Sequence, residues 1–209
     1  MKILVLGATG GTGREIVREA GVQGHSVVAL VRSKAKAVEL DAVELVEGDA
    51  RDEQALSRAL EGCSGAISSL GTPLSPFREV TLLSIATRAL VKAMERKNVR
   101  RLVCITGLGA GDSRGHGGFL FDRLFFPLLL RKVYADKDRQ EDIVRASQLD
   151  WVLVRPVVLN DKPARGTVQA RTDLSGIHGG KVARRDVASF VVQQLTDDSW
   201  LRRAPLISW

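Results

Sequence analysis

The sequence predicts an α/β fold built on a doubly wound parallel sheet with helices on both faces. Short apolar runs alternate with helical patterns along the 209 residues. Most of the runs are near-continuous Val, Ile and Leu, which is typical of parallel strands covered on both faces. Right-handed crossovers would bring the carboxyl ends of the strands to one edge, where such sheets bind their ligands.

The alternation of patterns defines the predicted elements. The strands are residues 3–6, 26–31, 43–46, 65–69, 101–106 and 151–155. The helices are residues 12–22, 34–40, 53–60, 79–97, 132–147 and 185–195. At this length we expect one domain over residues 1–209, with a small C-terminal region that caps the substrate.

The composition favours anionic partners. Lysines and arginines number 31 against 24 acidic residues, which gives a net charge of +7 and a pI of about 9.8. This balance suits cofactor phosphates, acidic substrates or nonspecific contact with nucleic acid. The charges are spread along the chain and aromatic residues are few, so no specific nucleic-acid site is expected.

The cysteines and the N-terminus indicate the compartment. Cys63 and Cys104 are far apart and give neither a metal-binding spacing nor a disulfide framework, and Cys104 is expected to be a buried strand residue. The N-terminus shows no secretory signal, and no apolar run approaches the ~20 residues of a membrane span. We therefore predict a cytoplasmic protein with no transmembrane segment and no metal site.

The glycine-rich sequence GATGGTG, residues 7–13, joins the first strand to the first helix. A helix N-terminus offers unpaired N–H groups and the positive end of its dipole, and glycines let the backbone approach a phosphate. A strand, such a turn and a helix in this order predict a pyrophosphate site rather than an ordinary glycine turn. The residues expected to form it are Gly7, Thr9, Gly10, Gly11, Thr12 and Gly13.

The residues after the second strand indicate which dinucleotide would bind. NAD sites usually place an acidic residue here for the ribose 2′-hydroxyl, whereas this chain has Arg32, with Lys36 one turn later. Two cations suit a 2′-phosphate, so NADP(H) is favoured as the cofactor. The alternative is that Arg32 and Lys36 are two surface cations at a helix start.

Candidate residues also follow the other strands. The Asp49 carboxylate could accept from the adenine amino group, whereas Asp52 is more simply a helix N-cap. Gly71 would permit close approach of the middle of the dinucleotide. The fifth strand is followed by the glycine-rich residues 107–111, and Pro156 fixes the chain where it leaves the sixth strand.

Taken together, these motifs resemble the atypical short-chain dehydrogenase/reductases, in particular the branch with biliverdin-IXβ reductase (flavin reductase) and the NmrA-like proteins. The resemblance covers nearly the whole chain and rests on GATGGTG, RSKAK (32–36), GDARD (48–52) and LGTPLSP (70–76), with weaker support from SQLDWVLVRP (147–156) and RRDVA (184–188). It implies a Rossmann-type fold and the cofactor contacts proposed above. It further implies that Ala50 lies beside the adenine, that Leu70, Gly71, Thr106 and Gly107 line the nicotinamide riboside, and that Pro156 and Val157 border the nicotinamide ring. Thr72, next to Gly71, is a further candidate for binding the cofactor.

The chain departs from this family at its catalytic positions. Typical members use a Tyr-x-x-x-Lys pair as proton donor and cofactor clamp, whereas Tyr134 and Lys137 are only three residues apart. Tyr134 is therefore a candidate acid or a packing residue, and Lys137 a candidate ribose clamp. A serine and a histidine of the biliverdin and flavin reductases are replaced by Gly107 and Val157, which argues against biliverdin as the substrate.

This reduced acid–base apparatus favours a flavin or quinone as the hydride acceptor, because an alcohol–ketone pair needs a stronger proton donor. The first interpretation is thus an NADPH-dependent reductase of a planar acceptor. The second is a noncatalytic NADP(H)-binding redox sensor. A sugar-nucleotide isomerase ranks last, because 209 residues leave little room for a separate substrate domain.

The apolar segment 119–130 holds four of the six phenylalanines. It could roof an apolar substrate pocket, pack in the core or against a second subunit, or lie on a membrane surface. The chain is accordingly expected to be a monomer or a homodimer. His116 and His178 fall in glycine-rich loops expected near the cleft, and His25 in a solvated loop.

Overall fold

The computed structural model describes residues 1–37, 40, 43–73, 75, 78–118, 123 and 128–209. The strands within this part of the chain are β1 (Lys2–Leu6), β2 (Ser26–Val31), β3 (Glu44–Glu47), β4 (Gly65–Ser68), β5 (Arg101–Ile105), β6 (Asp150–Pro156), β7 (Val158–Asn160), β8 (Gln169–Arg171), β9 (Lys181–Ala183) and β10 (Leu206–Ser208). The α-helices are α1 (Gly11–Val22), α2 (Glu53–Ala59), α3 (Leu82–Arg96), α4 (Arg131–Ala146) and α5 (Arg184–Gln193). Short 3₁₀ turns lie at Lys34–Lys36 and Gly111–Ser113.

Eight of the described strands form one sheet in the order β3-β2-β1-β4-β5-β6-β10-β8. Strands β1 to β6 run parallel, β10 runs parallel to β6, and β8 closes the edge antiparallel to β10. The order reverses between β1 and β4, which is the switch point at which doubly wound sheets bind their ligands. The predicted Rossmann-type α/β fold is confirmed.

The core lies on both faces of this sheet because alternate residues of each strand point to opposite sides. Ile3 and Val5 belong to the cluster that includes residues of α1 and α5. Leu4 and Leu6 belong to the cluster on the other face, which includes residues of α2, α3 and α4. Cys104 is fully buried in the second cluster, as predicted.

The six predicted strands are all present, and each end lies within one residue of its predicted position. The strands β7 to β10 were not predicted, because each is only three residues long and is too short to show a recognisable apolar pattern. The predicted helix over 34–40 is wrong in the described residues, which form only the 3₁₀ turn. The backbone N–H of Lys34 donates to the Glu47 carboxylate of β3 at 3.0 Å. The first residue of this turn is therefore bonded to the neighbouring strand.

Helix α3 begins at Leu82, three residues later than predicted, because its cap comes from another helix. The Thr81 side chain makes no capping hydrogen bond within the described chain. Instead the fully buried Asp136 carboxylate of α4 accepts from the backbone N–H of Leu83 at 2.8 Å and from the Ser84 hydroxyl at 2.5 Å. A tertiary contact thus sets the start of α3 and the position of α4.

Part of the chain after β6 forms a second, two-stranded sheet. Strands β7 and β9 pair in parallel, with Asn160 opposite Ala183, and β9 runs directly into α5. Among the residues that the structure describes, no helix is both long and apolar enough to span a bilayer.

Candidate functional site

The glycine turn after β1 forms a cradle that side chains would fill. Gly7 has φ +77°, and a Cβ atom there would lie 2.6 Å from the carbonyl oxygen of Ser69. A Cβ at Gly13 would overlap the carbonyl oxygen of Gly7. The backbone N–H of Gly10 donates to that same carbonyl at 3.0 Å. Glycine is therefore required at both ends of the turn.

The N-terminus of α1 opens into this cradle. Its first turn carries no acidic residue, and the N-cap Gly10 provides no side chain to accept from the first N–H groups. Those of Gly11, Thr12 and Gly13 have no intrahelical acceptor, and the helix dipole is positive here. Thr9 is exposed and Thr12 half-buried. Donors without a local acceptor, next to a glycine cradle, fit a pyrophosphate.

The residues after β2 and β3 lie side by side because these strands pair in parallel, with Val31 opposite Glu47. Arg32 is exposed at this edge. Asp49 accepts from the backbone N–H of Arg51 at 2.8 Å and from its guanidinium at 2.6 and 3.0 Å. These bonds, with a smaller contribution from Arg32, lower the pKa of Asp49 to about 2. The site thus holds a carboxylate beside two cations; the Lys36 side chain lies outside the described part of the chain.

The middle of the edge lies after β4. A Cβ at the exposed Gly71 would meet no atom of the described residues within 4 Å. Leu70 and Thr72 are half-buried on either side of it, as is Ala50 after β3. The predicted close approach of a ligand at Gly71 therefore has the space it requires.

The end of β5 contacts α4 through both groups of Thr106. Its buried hydroxyl donates to the Glu141 carboxylate at 2.7 Å. Its carbonyl accepts from the Lys137 ammonium. A Cβ at Gly107, where φ is +147°, would lie 3.7 Å from Lys137 Nζ and 3.8 Å from the Tyr134 hydroxyl oxygen. The predicted pair does converge at Gly107, but the Thr106 hydroxyl is directed to Glu141.

The Tyr134 hydroxyl is hydrogen-bonded to the loop after β5. It donates to the carbonyl of Leu108 at 2.8 Å. Burial, with a contribution from Asp138, raises the pKa of Tyr134 to about 12. Burial also lowers the pKa of Lys137, whose ammonium lies 5.8 Å from the centre of the Tyr134 ring. Burial of the phenol is therefore the largest contribution to its raised pKa.

A small pocket lies beside Tyr134 at the ends of β5 and β6. Its lining residues are Leu108, Gly117, Tyr134, Pro156, Val157, Val158 and Gly179. Two loops meet at its rim, where the backbone N–H of Gly179 donates to the carbonyl of His116 at 2.7 Å. Residues 119–122 and 124–127 of the apolar segment lie outside the described residues, so its predicted role as a roof stays a prediction.

A buried ion pair behind this pocket was missed by the sequence analysis. Arg155 and Glu141 are each 1% exposed. The Arg155 guanidinium donates to the Glu141 carboxylate through Nε at 2.9 Å and through Nη2 at 2.5 Å. Arg155 Nη2 also reaches Asp112 at 2.5 Å. A Cβ at Gly111 would lie 2.6 Å from the same guanidinium. An arginine inside the apolar run of β6 was the signal that could have revealed it.

Comparison with known proteins decides the family. A family model described as NAD(P)H-binding matches residues 7–198. The chain belongs to this family. The resemblance inferred from the sequence is thereby confirmed, and the family model begins at Gly7, the first residue of the glycine cradle.

Similar proteins include reductases and a protein described as an epimerase. ChuY, an anaerobilin reductase from Escherichia coli O157:H7, superimposes with a TM-score of 0.84 at 25% identity, over 100% of this chain and 97% of that one. The uncharacterized sugar epimerase YhfK of Bacillus subtilis is 29% identical over 98% of this chain and 92% of its own. An NAD(P)H azoreductase from Xenophilus azovorans is 30% identical over 93% of this chain, which spans 63% of that enzyme.

Proposed function

We propose that this protein is an NADPH-dependent reductase that passes a hydride to a planar acceptor such as a flavin or a quinone. When bound, the reduced nicotinamide supplies the hydride. The observation that carries the proposal is that Tyr134 and Lys137 both donate to backbone carbonyls of the loop after β5. A flavin or quinone stabilises its reduced anion and takes its proton from solvent, so such an acceptor needs no acid from these side chains.

The cofactor would lie along the carboxyl ends of the strands. Its pyrophosphate would sit in the glycine cradle and its nicotinamide between Gly107 and the small pocket, beside Pro156 and Val157. The adenine would lie near Asp49 and Ala50. The exposed Arg32 supports a preference for NADP(H), because a cation attracts a 2′-phosphate where NAD sites use a carboxylate.

The Arg32→Ala variant tests the cofactor preference. We expect the Kd for NADPH to rise by about tenfold to a hundredfold, the range for a lost hydrogen bond to a charged group, with the Kd for NADH little changed. Isothermal titration calorimetry measures both. Arg58→Ala, which removes an exposed arginine of α2, is the matched control and should change neither value. Equal losses for the two dinucleotides would show that Arg32 does not read the 2′-phosphate.

Stopped-flow oxidation of NADPH at 340 nm, with riboflavin phosphate or a quinone, tests the reaction itself. Turnover with either acceptor supports the reductase. Tight NADPH binding without oxidation by any such acceptor would instead favour a redox sensor, an alternative also supported by the engaged Tyr134 and Lys137. Binding of neither dinucleotide at millimolar concentration would overturn both.

The description of YhfK raises epimerisation as a competing activity. Epimerisation through a ketone intermediate needs a base that removes a hydroxyl proton from the sugar. The raised pKa of Tyr134 and its bond to Leu108 make this phenol a poor base near neutral pH. A reductase of a planar acceptor is therefore the better match to the site.

A further inference from the structure

A cation from the C-terminal part of the chain lies on the glycine cradle. Arg184 is the first residue of α5 and directly follows β9. Because Asn160 of β7 pairs with Ala183 of β9, the next residues, Asp161 and Arg184, leave the small sheet side by side. Arg184 Nη1 donates to the Asp161 carboxylate at 2.7 Å, and this ion pair holds the side chain in place.

The Arg184 side chain crosses to the first turn of α1. A Cβ at Gly11 would lie 3.0 Å from its Nε and 3.2 Å from its Cδ, which is tighter than ordinary van der Waals contact. The absence of a side chain at Gly11 thus leaves room for the Arg184 guanidinium against the backbone of α1. The side chain is 28% exposed, so it is packed against the protein but open to a ligand in the cradle.

The electrostatics of this contact are unfavourable without an anion. Helix N-termini carry partial positive charge and disfavour cations. The first turn of α1 has no acidic residue, yet Arg184 lies on it and Arg14 donates to the nearby carbonyl of Thr9 at 3.1 Å. Asp161 is 84% exposed, so solvent weakens its compensation. An anion in the cradle would balance both the helix dipole and the guanidinium.

We propose that Arg184 is a further pyrophosphate-binding residue, which closes the cradle from the side of α5. This inference rests on the proposed dinucleotide site. Nη1 is held by Asp161, and within the described residues Nη2 and Nε have no hydrogen-bond acceptor, so they can donate toward a phosphate oxygen. Such charge-assisted bonds are strong. Because the pyrophosphate is common to NADPH and NADH, Arg184 acts on both, unlike Arg32.

Calorimetry with NADPH and NADH tests this assignment on the full-length protein. Arg184→Ala is expected to raise both Kd values by about tenfold to a hundredfold. Arg185→Ala is the matched control: this neighbour is exposed, its guanidinium is paired with Glu15 at 3.4 Å, and its loss should change neither Kd by more than about twofold. Arg32→Ala provides the contrast, with a loss confined to NADPH.

A second variant guards against a folding defect. Arg184→Gln keeps the Cβ and Cγ atoms of the side chain and a polar end group, and removes the charged guanidinium. It should show a thermal transition like that of the wild type and the same loss for both dinucleotides.

Three results are informative. Unchanged affinity of folded Arg184→Ala or Arg184→Gln, with wild-type binding intact, overturns the assignment and leaves the proposed function standing. A loss restricted to NADPH also overturns it, since Arg184 would then contact the 2′-phosphate. Absence of wild-type binding to either dinucleotide removes the proposed function itself, and the inference with it.

Discussion

At the scale of single residues, the hydroxyl and the backbone carbonyl of Thr106 have different hydrogen-bond partners. Thr106 was predicted to line the nicotinamide riboside, but its hydroxyl points to Glu141 and its carbonyl to Lys137. The Tyr134 hydroxyl likewise donates a hydrogen bond to the Leu108 carbonyl. The spacing of three residues is compatible with a common helix face for Tyr134 and Lys137, whereas their hydrogen-bond partners depend on the loop opposite them.

Tyr134→Phe tests whether the phenol is an acid or a packing residue. We expect kcat for flavin reduction to stay within about twofold, because the acceptor takes its proton from solvent. Loss of the bond to Leu108 should lower the free energy of unfolding by about 0.5–1.5 kcal/mol. Stopped-flow kinetics and urea titration measure the two effects.

Tyr134→Leu serves as the control, because it also removes the ring that lines the pocket. It should raise KM for the acceptor more than Tyr134→Phe does. A fall in kcat of a hundredfold or more in Tyr134→Phe alone would identify the phenol as a general acid.

At the scale of secondary-structure elements, α4 connects α3 to β6 and to the loop after β5. One side of the helix carries Asp136 and Gln140, which bond to α3 through Ser84 and Thr87. The other side carries Tyr134, Lys137 and Glu141, which bond to the loop after β5 and to β6. Movement of α4 would therefore displace the loop that borders the proposed nicotinamide site.

The buried pair of Glu141 and Arg155 is the main polar support of this arrangement. Burial opposes the charge of Arg155, but its bonds to Glu141 and Asp112 outweigh that effect and raise its pKa. Glu141→Gln leaves a buried guanidinium with weaker compensation and should lower the free energy of unfolding by about 3–5 kcal/mol. Urea titration followed by circular dichroism measures this loss.

Arg100→Gln is the matched control, because it breaks the exposed pair with Asp150, in which Arg100 is 65% exposed. Such exposed pairs contribute about 0–1 kcal/mol. The double replacement Glu141→Leu with Arg155→Met should cost less than Glu141→Gln alone, since no charge is left uncompensated. A cost below about 1 kcal/mol for Glu141→Gln would mean that Asp112 alone compensates Arg155.

At the scale of the whole molecule, the proposed dinucleotide site joins distant parts of the chain. The cradle at residues 7–13 lies beside Arg184, and the residues after β2, β4, β5 and β6 complete the same edge. A ligand that spans this edge contacts elements from both ends of the sequence. Binding of such a ligand should therefore raise the free energy of unfolding of the whole fold.

NADPH at a hundred times its Kd should raise the free energy of unfolding by about 2.7 kcal/mol and the melting temperature by about 5–10 °C. Differential scanning fluorimetry across an NADPH series measures the shift. Nicotinamide mononucleotide, which lacks the pyrophosphate and the adenosine, is the control ligand and should give a smaller shift. An unchanged melting temperature at millimolar NADPH would contradict the proposed site.

The sequence alone determined the central architecture. Continuous apolar runs specify strands that are buried on both faces, so β1 to β6 were predicted within one residue at each end. The glycine turn was also predicted from the sequence alone, because only glycine tolerates the backbone contacts at positions 7 and 13. These features depend on local physics: periodicity of burial and steric limits of the backbone.

Only the tertiary structure decided what the polar residues do. The strands β7 to β10 are short and form because neighbouring strands supply their hydrogen bonds. The start of α3 depends on Asp136, 53 residues along the chain from Leu83. The packing of Arg184 against Gly11 and the ion pair of Glu141 with Arg155 likewise join residues that are far apart in sequence or lie on different elements. Their pairing follows from packing of the elements, which no local pattern specifies.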